Sequence, residues 1–334
     1  MKVLLTGGAG YIGSVTARAL ELAGHVPVIV DSLVTGPRAF VAGRTFYEGD
    51  VGDAGLVARI IDEHPDIEHV IHLAALIVVP ESVAEPHRYY HNNVVKSLEL
   101  FRVLQQCGVS RLIFSSSASV YAATTAGEVL ETSRTEPASP YARTKLMTEM
   151  VLEDLGVAGL MRSISLRYFN PIGSDPELRS GAHVARPSHV LGQLTATALG
   201  QQETFTLTGT SFDTRDGTGL RDYIHVWDLA RAHVRAVERF DDVLRSSATT
   251  SAVINIGTGR GVTVRELIST VEAVIGRPIA VREAPARAGD PPGAYANVDQ
   301  AARLLGWRAG LSVEDGVRSA LAWTKRRDRV LGSR

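Results

Sequence analysis

Cysteine is almost missing from this 334-residue chain. Cys107 is the only one, which excludes an intrachain disulfide and a cysteine-based zinc site. A surplus of one charge sign is missing too. Lys and Arg number 35 against 36 Asp and Glu, and the formal net charge is −1. That balance argues against a dominant role on nucleic acid or anionic membrane, both of which call for excess positive charge. No run approaches the ~18 apolar residues that span a bilayer. The start, Met1-Lys2-Val3-Leu4-Leu5-Thr6, breaks into glycines before a signal-peptide core of about 7–15 apolar residues could form. The expectation is a soluble, cytoplasmic protein with no metal centre. Repeats, low-complexity tracts and long charge blocks are absent, and Lys325-Arg326-Arg327 is expected to be a solvated helix end. What the chain does have is apolar content, 45% hydrophobic against 21% charged residues, enough for a sizeable core. Its length predicts two domains, or one extended α/β unit with a cap.

In the first half, short apolar runs alternate with amphipathic stretches. Val3–Thr6, Val26–Asp31, Thr45–Glu48, His69–Leu73, Arg111–Ser116 and Ser163–Arg167 read as strands, rich in β-branched residues and bounded by Gly, Asp or Ser. Val15–Ala23, Leu56–Glu63, Val94–Cys107 and Ser139–Leu155 read as helices between them. Such alternation predicts an α/β fold, a doubly wound parallel sheet with helices on both faces. After Phe169 the regularity breaks. Residues 170–220 are rich in Pro, Gly, Ser and Thr, with one helical pattern near Val190–Leu199. Ile224–Arg239 then reads as helix, Ala252–Gly257 as strand and Val264–Ile275 as helix. A loop-rich insert after a regular core is where substrate contacts are expected.

Gly7, Gly10 and Gly13 follow the first strand directly. Glycine there permits a tight turn, a close approach of backbone to a pyrophosphate, and close packing of helix on strand. The helix N-terminus adds free N–H groups and a positive dipole end. Asp31 ends the second strand about 20 residues further on, where a carboxylate accepts from ribose hydroxyls and repels a 2′-phosphate, favouring NAD over NADP. Asp50-Val51, after the third strand, suits a contact to the adenine edge, and equally a helix N-cap or turn.

Tyr141 and Lys145 are spaced i, i+4 and share one face of the helix that starts near Ser139. A phenol with an ordinary pKa near 10 is a poor base at neutral pH, and a neighbouring ammonium favours its phenolate. Ser115-Ser116-Ser117 ends the fifth strand, and strand C-termini border the ligand crevice of a doubly wound sheet. Ser117 and Ser119 are therefore candidates to hydrogen-bond a substrate hydroxyl.

Gly7-Gly8-Ala9-Gly10-Tyr11-Ile12-Gly13-Ser14, Asn92-Asn93-Val94, the run Phe114 to Tyr121, Tyr141-Ala142-Arg143-Thr144-Lys145 and Leu166-Arg167-Tyr168-Phe169-Asn170-Pro171 together resemble the extended short-chain dehydrogenase/reductase superfamily. The run Asp216 to Val226 and Arg287-Ala288-Gly289-Asp290 narrow the resemblance to UDP-glucose (UDP-galactose) 4-epimerases, in order along essentially the whole chain. The resemblance implies a Rossmann NAD-binding domain, residues 1–168 plus 224–258, and a smaller mixed C-terminal domain for the nucleotide sugar, residues 169–223 plus 259–334.

By position, it implies NAD contacts at Gly7, Gly10, Tyr11, Ile12, Gly13, Asp31, Ser32, Leu33, Thr35, Gly36, Asp50, Val51, Leu73, Ala74, Ala75, Asn92, Ser115, Tyr141, Lys145, Tyr168 and Phe169. It implies catalysis by Tyr141, Lys145 and Ser117, and nucleotide-sugar contacts at Ser117, Ser119, Tyr141, Asn170, His189, Arg221, Arg287, Asp290 and Ala294. Arg221 and Arg287 suit a diphosphate, to which guanidinium makes bidentate charge-assisted bonds. It further implies a homodimer through a helix bundle that includes Val94–Cys107.

One residue and one short stretch depart from the family pattern. Ile77 stands where the family has a cofactor-side lysine, and Pro187-Ser188-His189-Val190-Leu191 replaces the usual substrate-loop sequence. Ala294, in a variable position beside the hexose, leaves room for an N-acetylated sugar. Three other readings share some features. A 4,6-dehydratase would carry Asp-Glu where Ala118-Ser119 stand, a UDP-glucuronate 4-epimerase would need a donor for the sugar carboxylate, and an NAD-sensing protein would lose the Tyr/Lys pair.

Overall fold

The computed structural model describes residues 1–123, 127–185, 187–286 and 292–332. Its large sheet is built from β1 (Lys2–Thr6), β2 (Val26–Asp31), β3 (Thr45–Glu48), β4 (Ile67–His72), β5 (Arg111–Ser117), β7 (Arg162–Tyr168) and β12 (Ser251–Ile256); β6 (Gly127–Val129) lies outside it. These seven strands are all parallel, in the order β12-β7-β5-β4-β1-β2-β3. The order reverses between β1 and β4, and a ligand crevice forms at the carboxyl ends of strands beside such a reversal.

Because the strands are buried on both faces, successive side chains feed two separate cores. Val3, Leu5, Ile29, Ile71, Ile113 and Ile254 meet α1 (Tyr11–Leu22) and, later in the chain, α8 (Val226–Glu238) and α9 (Phe240–Ser247). Leu4, Val28, Val30, Val70, Leu112 and Phe114 meet α2 (Ala54–Glu63), α5 (Lys96–Gln106) and the long α6 (Pro140–Val157). Each fully buried aliphatic contributes ~1.5–3 kcal/mol. Ile29→Ala, at a fully buried position of β2, would cost about 2–5 kcal/mol. Ala301, Leu304, Leu305 and Trp307 also pack into the first of these cores.

Short helices α3 (Val79–Ala84) and α4 (Pro86–Tyr90) lead through a π turn, His91–Val95, into α5. The smaller domain has β8 (Asn170–Ile172) beside β11 (Tyr223–His225), and β9 (Phe205–Thr208) beside β14 (Val281–Ala284). It also has a four-stranded sheet of β13 (Val262–Thr263), β10 (Leu220–Arg221), β15 (Gly293–Ala296) and β6. Its core, with Ile172, Leu194, Leu267, Val271 and Val317, is closed by α7 (Val190–Ala198), α10 (Val264–Ile275) and α11 (Val313–Leu331). Reciprocal caps start α10 at Thr263/Glu266 and α11 at Ser312/Asp315.

Three local expectations are corrected. The first helix begins at Tyr11 rather than Val15, because Gly10 is already its N-cap. Ile224–Arg239 is not all helix: Tyr223–His225 is a strand paired with β8, and His225 Nδ1 then accepts the Trp227 N–H to start α8. Lys325 and Arg326 are exposed, but Arg327 is buried in α11, where its Nε donates to Asp328 Oδ1 at 2.9 Å, so that basic cluster is not wholly solvated. Among the described residues no helix is long and apolar enough to cross a membrane.

Candidate active site

The glycine turn is close-packed from both sides. Gly7 has φ +71°, and a Cβ there would lie 2.7 Å from the Ala74 amide nitrogen. At Gly13 a Cβ would lie 2.1 Å from the Gly7 carbonyl oxygen. Gly10 caps α1 without any side-chain acceptor, which leaves the first-turn N–H groups available as donors for a diphosphate. Gly36 lies against Ala9, so the loop of Ser32, Leu33, Thr35 and Gly36 flanks the same turn.

Asp31 is buried and ties the two loops together: one oxygen accepts from Ala9 N at 2.9 Å and the other from Leu33 N at 2.8 Å. Leu33 sits in the left-handed region at φ +58°, bending the chain back over the carboxylate. A carboxylate has about four lone-pair sites, so ribose hydroxyls can still share it. Asp50 accepts from Gly52 N at 2.8 Å and from the Lys96 ammonium. Burial pulls its carboxyl up, but Lys96 and the Gly52 N–H outweigh that and hold it below the usual range. Those bonds make it a turn aspartate, and Val51 beside it is buried.

Tyr11 does not only face the glycine turn. Its hydroxyl donates to the Gly173 carbonyl at 2.7 Å, joining α1 to the second domain, and burial pushes the phenol well above its ordinary value. Ile12 and Leu73 pack against the sheet core, and Leu73, Ala74 and Ala75 line the β4 exit half-buried.

The two residues of the Asn92-Asn93 pair take different roles. Asn92 donates to Asn93 Oδ1 at 3.0 Å and receives Lys96 at 3.4 Å. Asn93 is the buried one: it accepts from Leu76 N at 2.9 Å and donates to Leu76 O at 2.9 Å and Thr144 Oγ1 at 3.2 Å. It pins the β4 exit loop to α6. The π turn adds a residue to this helical turn and rotates which asparagine faces inward, a phase shift that regular helical spacing does not encode.

Beneath this runs a chain that motif reading missed. Ser97 Oγ donates to Asn93 O at 2.7 Å and so receives His72 Nε2 at 2.9 Å, while His72 Nδ1 pairs with Thr6 Oγ1 at 2.7 Å. Those bonds assign the Nε2–H tautomer, and Thr6 in turn accepts from Ala74 N at 3.3 Å. Burial, with Lys145 nearby, drops the imidazole to about 3, so the ring is a neutral brace.

Tyr141 and Lys145 do share one face of α6, whose Ser139 N-cap accepts from Ala142 N. They are 8% and 3% exposed. Lys145 Nζ donates to Ser115 O at 2.8 Å and lies 5.0 Å from the Phe114 ring centroid and 5.9 Å from that of Tyr141. Burial lowers the ammonium to about 8, opposed by the Glu149 carboxylate. Burial raises the Tyr141 phenol, and the Ser117 hydroxyl only partly offsets it. The reason is that both groups have left water, and desolvation disfavours the phenolate before any further cation is added.

Ser117 accepts from Ser119 N at 3.2 Å and Ser119 Oγ at 2.9 Å, and Ser115 Oγ donates to the Tyr168 hydroxyl at 2.9 Å. Burial, with Tyr141 close by, raises the Tyr168 phenol. Phe169 is buried with Val120, Tyr121 and Ala296, and Ala294 packs at the edge of that cluster.

On the far wall, Asn170 is exposed at the start of β8. Arg221 donates to Leu220 O at 2.7 Å and Pro292 O at 3.2 Å, and stands opposite Ala294 in the β10–β15 register. His189 caps α7, its Nδ1 accepting from Gly192 N at 3.1 Å. Arg287 and Asp290 lie outside the described residues. Among the described residues no group of three or more His, Cys, Asp or Glu is gathered to hold a metal.

The family model for the NAD dependent epimerase/dehydratase family matches residues 3–257. A UDP-glucose 4-epimerase from Azospirillum brasilense is 42% identical over 333 residues, covering 99% of this chain and 94% of that protein. One from Rhizobium leguminosarum bv. trifolii is 40% identical, covering 96% of each. Among solved structures, a UDP-glucose-4-epimerase from Stenotrophomonas maltophila with bound NAD and formylated UDP-arabinopyranose superposes with a TM-score of 0.93 at 38% identity, over 98% of this chain and 99% of that one. The enzyme from Bifidobacterium longum in complex with NAD+ and UDP gives 0.91 at 35% identity, over 99% and 100%. Matched by the family model over most of its length and by relatives along nearly all of it, the chain belongs to the NAD dependent epimerase/dehydratase family.

Proposed function

We propose that this chain is an NAD-dependent 4-epimerase of UDP-hexoses. The observation that carries the reading is the buried Tyr141–Lys145 pair on one helix face, beside the Ser117 strand end. The uncapped α1 N-terminus, the glycine turn and Asp31 fit the diphosphate and ribose of NAD. When bound, NAD supplies a reversible hydride acceptor and a positive charge that favours the Tyr141 phenolate. Tyr141 takes the proton from the C4 hydroxyl and returns it, while Lys145 keeps positive charge beside its ring. Ser117 orients that hydroxyl. Arg221 anchors the nucleotide diphosphate while the 4-keto sugar turns over and presents its other face.

A homodimer working in the cytoplasm, where a lone thiol stays reduced, belongs to this reading. It is supported by exposed Val95, Leu98, Met147 and Met150 on the π turn, α5 and α6. Sedimentation should give twice the 35.8 kDa chain mass. The function is tested by incubating the protein with a panel of UDP-sugars and separating products by anion-exchange chromatography. UDP-glucose and UDP-galactose should interconvert without net consumption of cofactor. Turnover of UDP-glucuronate alone would move the assignment to that sugar, and no turnover of any would overturn it.

A further inference from the structure

Behind the reacting face lies a buried ion pair that the proposed reaction does not use. Arg167 on β7 donates to Glu149 on α6 through Nη2 to Oε2 at 2.6 Å and through Nε to Oε1 at 3.0 Å. The guanidinium lies 4.9 Å from the Tyr121 ring centroid and also donates to Glu131 O at 3.3 Å. Ser116 donates its hydroxyl to the same carboxylate. That serine stands between Ser115, whose carbonyl receives Lys145, and Ser117, which faces Tyr141. Glu149 is also one helical turn beyond Lys145, at i+4.

As a source of stability such a pair is a poor device, since well-packed apolar residues of the same volume often serve as well or better. Its placement has a different consequence. It grips the middle residue of the Ser115–Ser117 strand end from below and sets a carboxylate on the helix face that carries the ammonium. We propose that Glu149 and Arg167 are positioning residues for the reaction: the pair holds the serine shelf in register with α6 and keeps Lys145 charged beside Tyr141. This inference rests on the epimerase reading.

The groups around Lys145 decide how the charge responds. From α6 come Tyr141 and Glu149; from β4 the neutral His72; from β5 the Ser115 carbonyl and the Phe114 ring; from β7 Arg167, held by Glu149, and Tyr168, beside Tyr141. Glu149 is the carboxylate of this set. Without it the ammonium loses its opposing charge and gives up its proton at lower pH.

The test is Glu149→Gln, purified with its cofactor bound and assayed with UDP-glucose across pH. Expected are a kcat lower by about tenfold or more, a KM within about threefold, and an alkaline limb of kcat displaced to lower pH by about one unit. Circular dichroism and bound NAD content report that the protein is intact. An unmoved alkaline limb in intact protein overturns the proposal, whatever the kcat. If Glu149→Gln does not fold with Arg167 left unpaired, the double substitution Glu149→Met with Arg167→Met removes both charges. With the local net charge unchanged, this variant reads the clamp alone: a kcat lower by about tenfold with KM within about threefold supports the proposal, and a wild-type kcat in intact protein overturns it. Absence of epimerase activity in the unmodified enzyme would count against the function itself, which separates the two failures.

Discussion

On one side of the cleft, Asp31, Asp50, Asn93 and Lys145 are each bonded to the protein's own backbone or to a buried partner. On the other side Asn170 and His189 are exposed, and the candidate contacts come from a strand start, a helix cap and a two-residue strand. The first wall is made by a parallel sheet whose strand ends must be satisfied by loops packed at its switch point. The second is made by loops and short strands of the insert. A reaction that returns hydride to the opposite sugar face suits this asymmetry: fixed machinery on the cofactor side, a tight hold on the nucleotide, and little grip on the hexose.

The largest effect is expected at Tyr141. Tyr141→Phe keeps the ring and its packing but removes the proton acceptor, so turnover should fall by about 10²–10⁴ while NAD and UDP-sugar still bind. Turnover within a few-fold of wild type, measured by coupled assay, would remove Tyr141 from the fixed machinery.

Lys145→Met should also cripple the enzyme. Burial already raises the Tyr141 phenol, so losing the ammonium raises it further and shifts the rising limb of the pH–rate profile to higher pH. A profile that does not move assigns Lys145 a merely structural role at Ser115.

The open wall is sharpened by Ala294, which stands opposite Arg221 and beside the Phe169 cluster. The native protein should epimerise both UDP-glucose and UDP-N-acetylglucosamine. Ala294→Tyr should selectively remove the second activity, by roughly ten- to hundredfold, since overpacking costs ~1–3 kcal/mol where only the larger sugar clashes. Equal loss of both activities, or rejection of the N-acetylated sugar by the native enzyme, would show that Ala294 is not the gate.

The smallest effect is expected at Ile77, 64% exposed just beyond the cofactor loop. Ile77→Lys should slow NAD loss during long dialysis without changing kcat. Equal cofactor content in the two proteins would mean that the bonded cofactor wall already suffices.

The strand–glycine turn–helix start, the acid ending β2 and the Tyr141/Lys145 face were legible in the sequence, because each lies within one turn, one strand or one helical repeat. Spacing over a few residues carries the 2.0 and 3.6 periods directly. It did not show that Asn93, next to the expected contact Asn92, is buried in bonds to Leu76 and Thr144, because a π turn changes the phase of the helix without leaving a mark in residue type. Nor did it show that Asp50 was already bonded to Lys96, 46 residues away, or Tyr11 to Gly173, 162 residues away. The raised Tyr141 phenol and the Glu149–Arg167 clamp were likewise decided only by tertiary packing. Burial and long-range pairing depend on which strand ends and helix faces are brought together, and no local period encodes that.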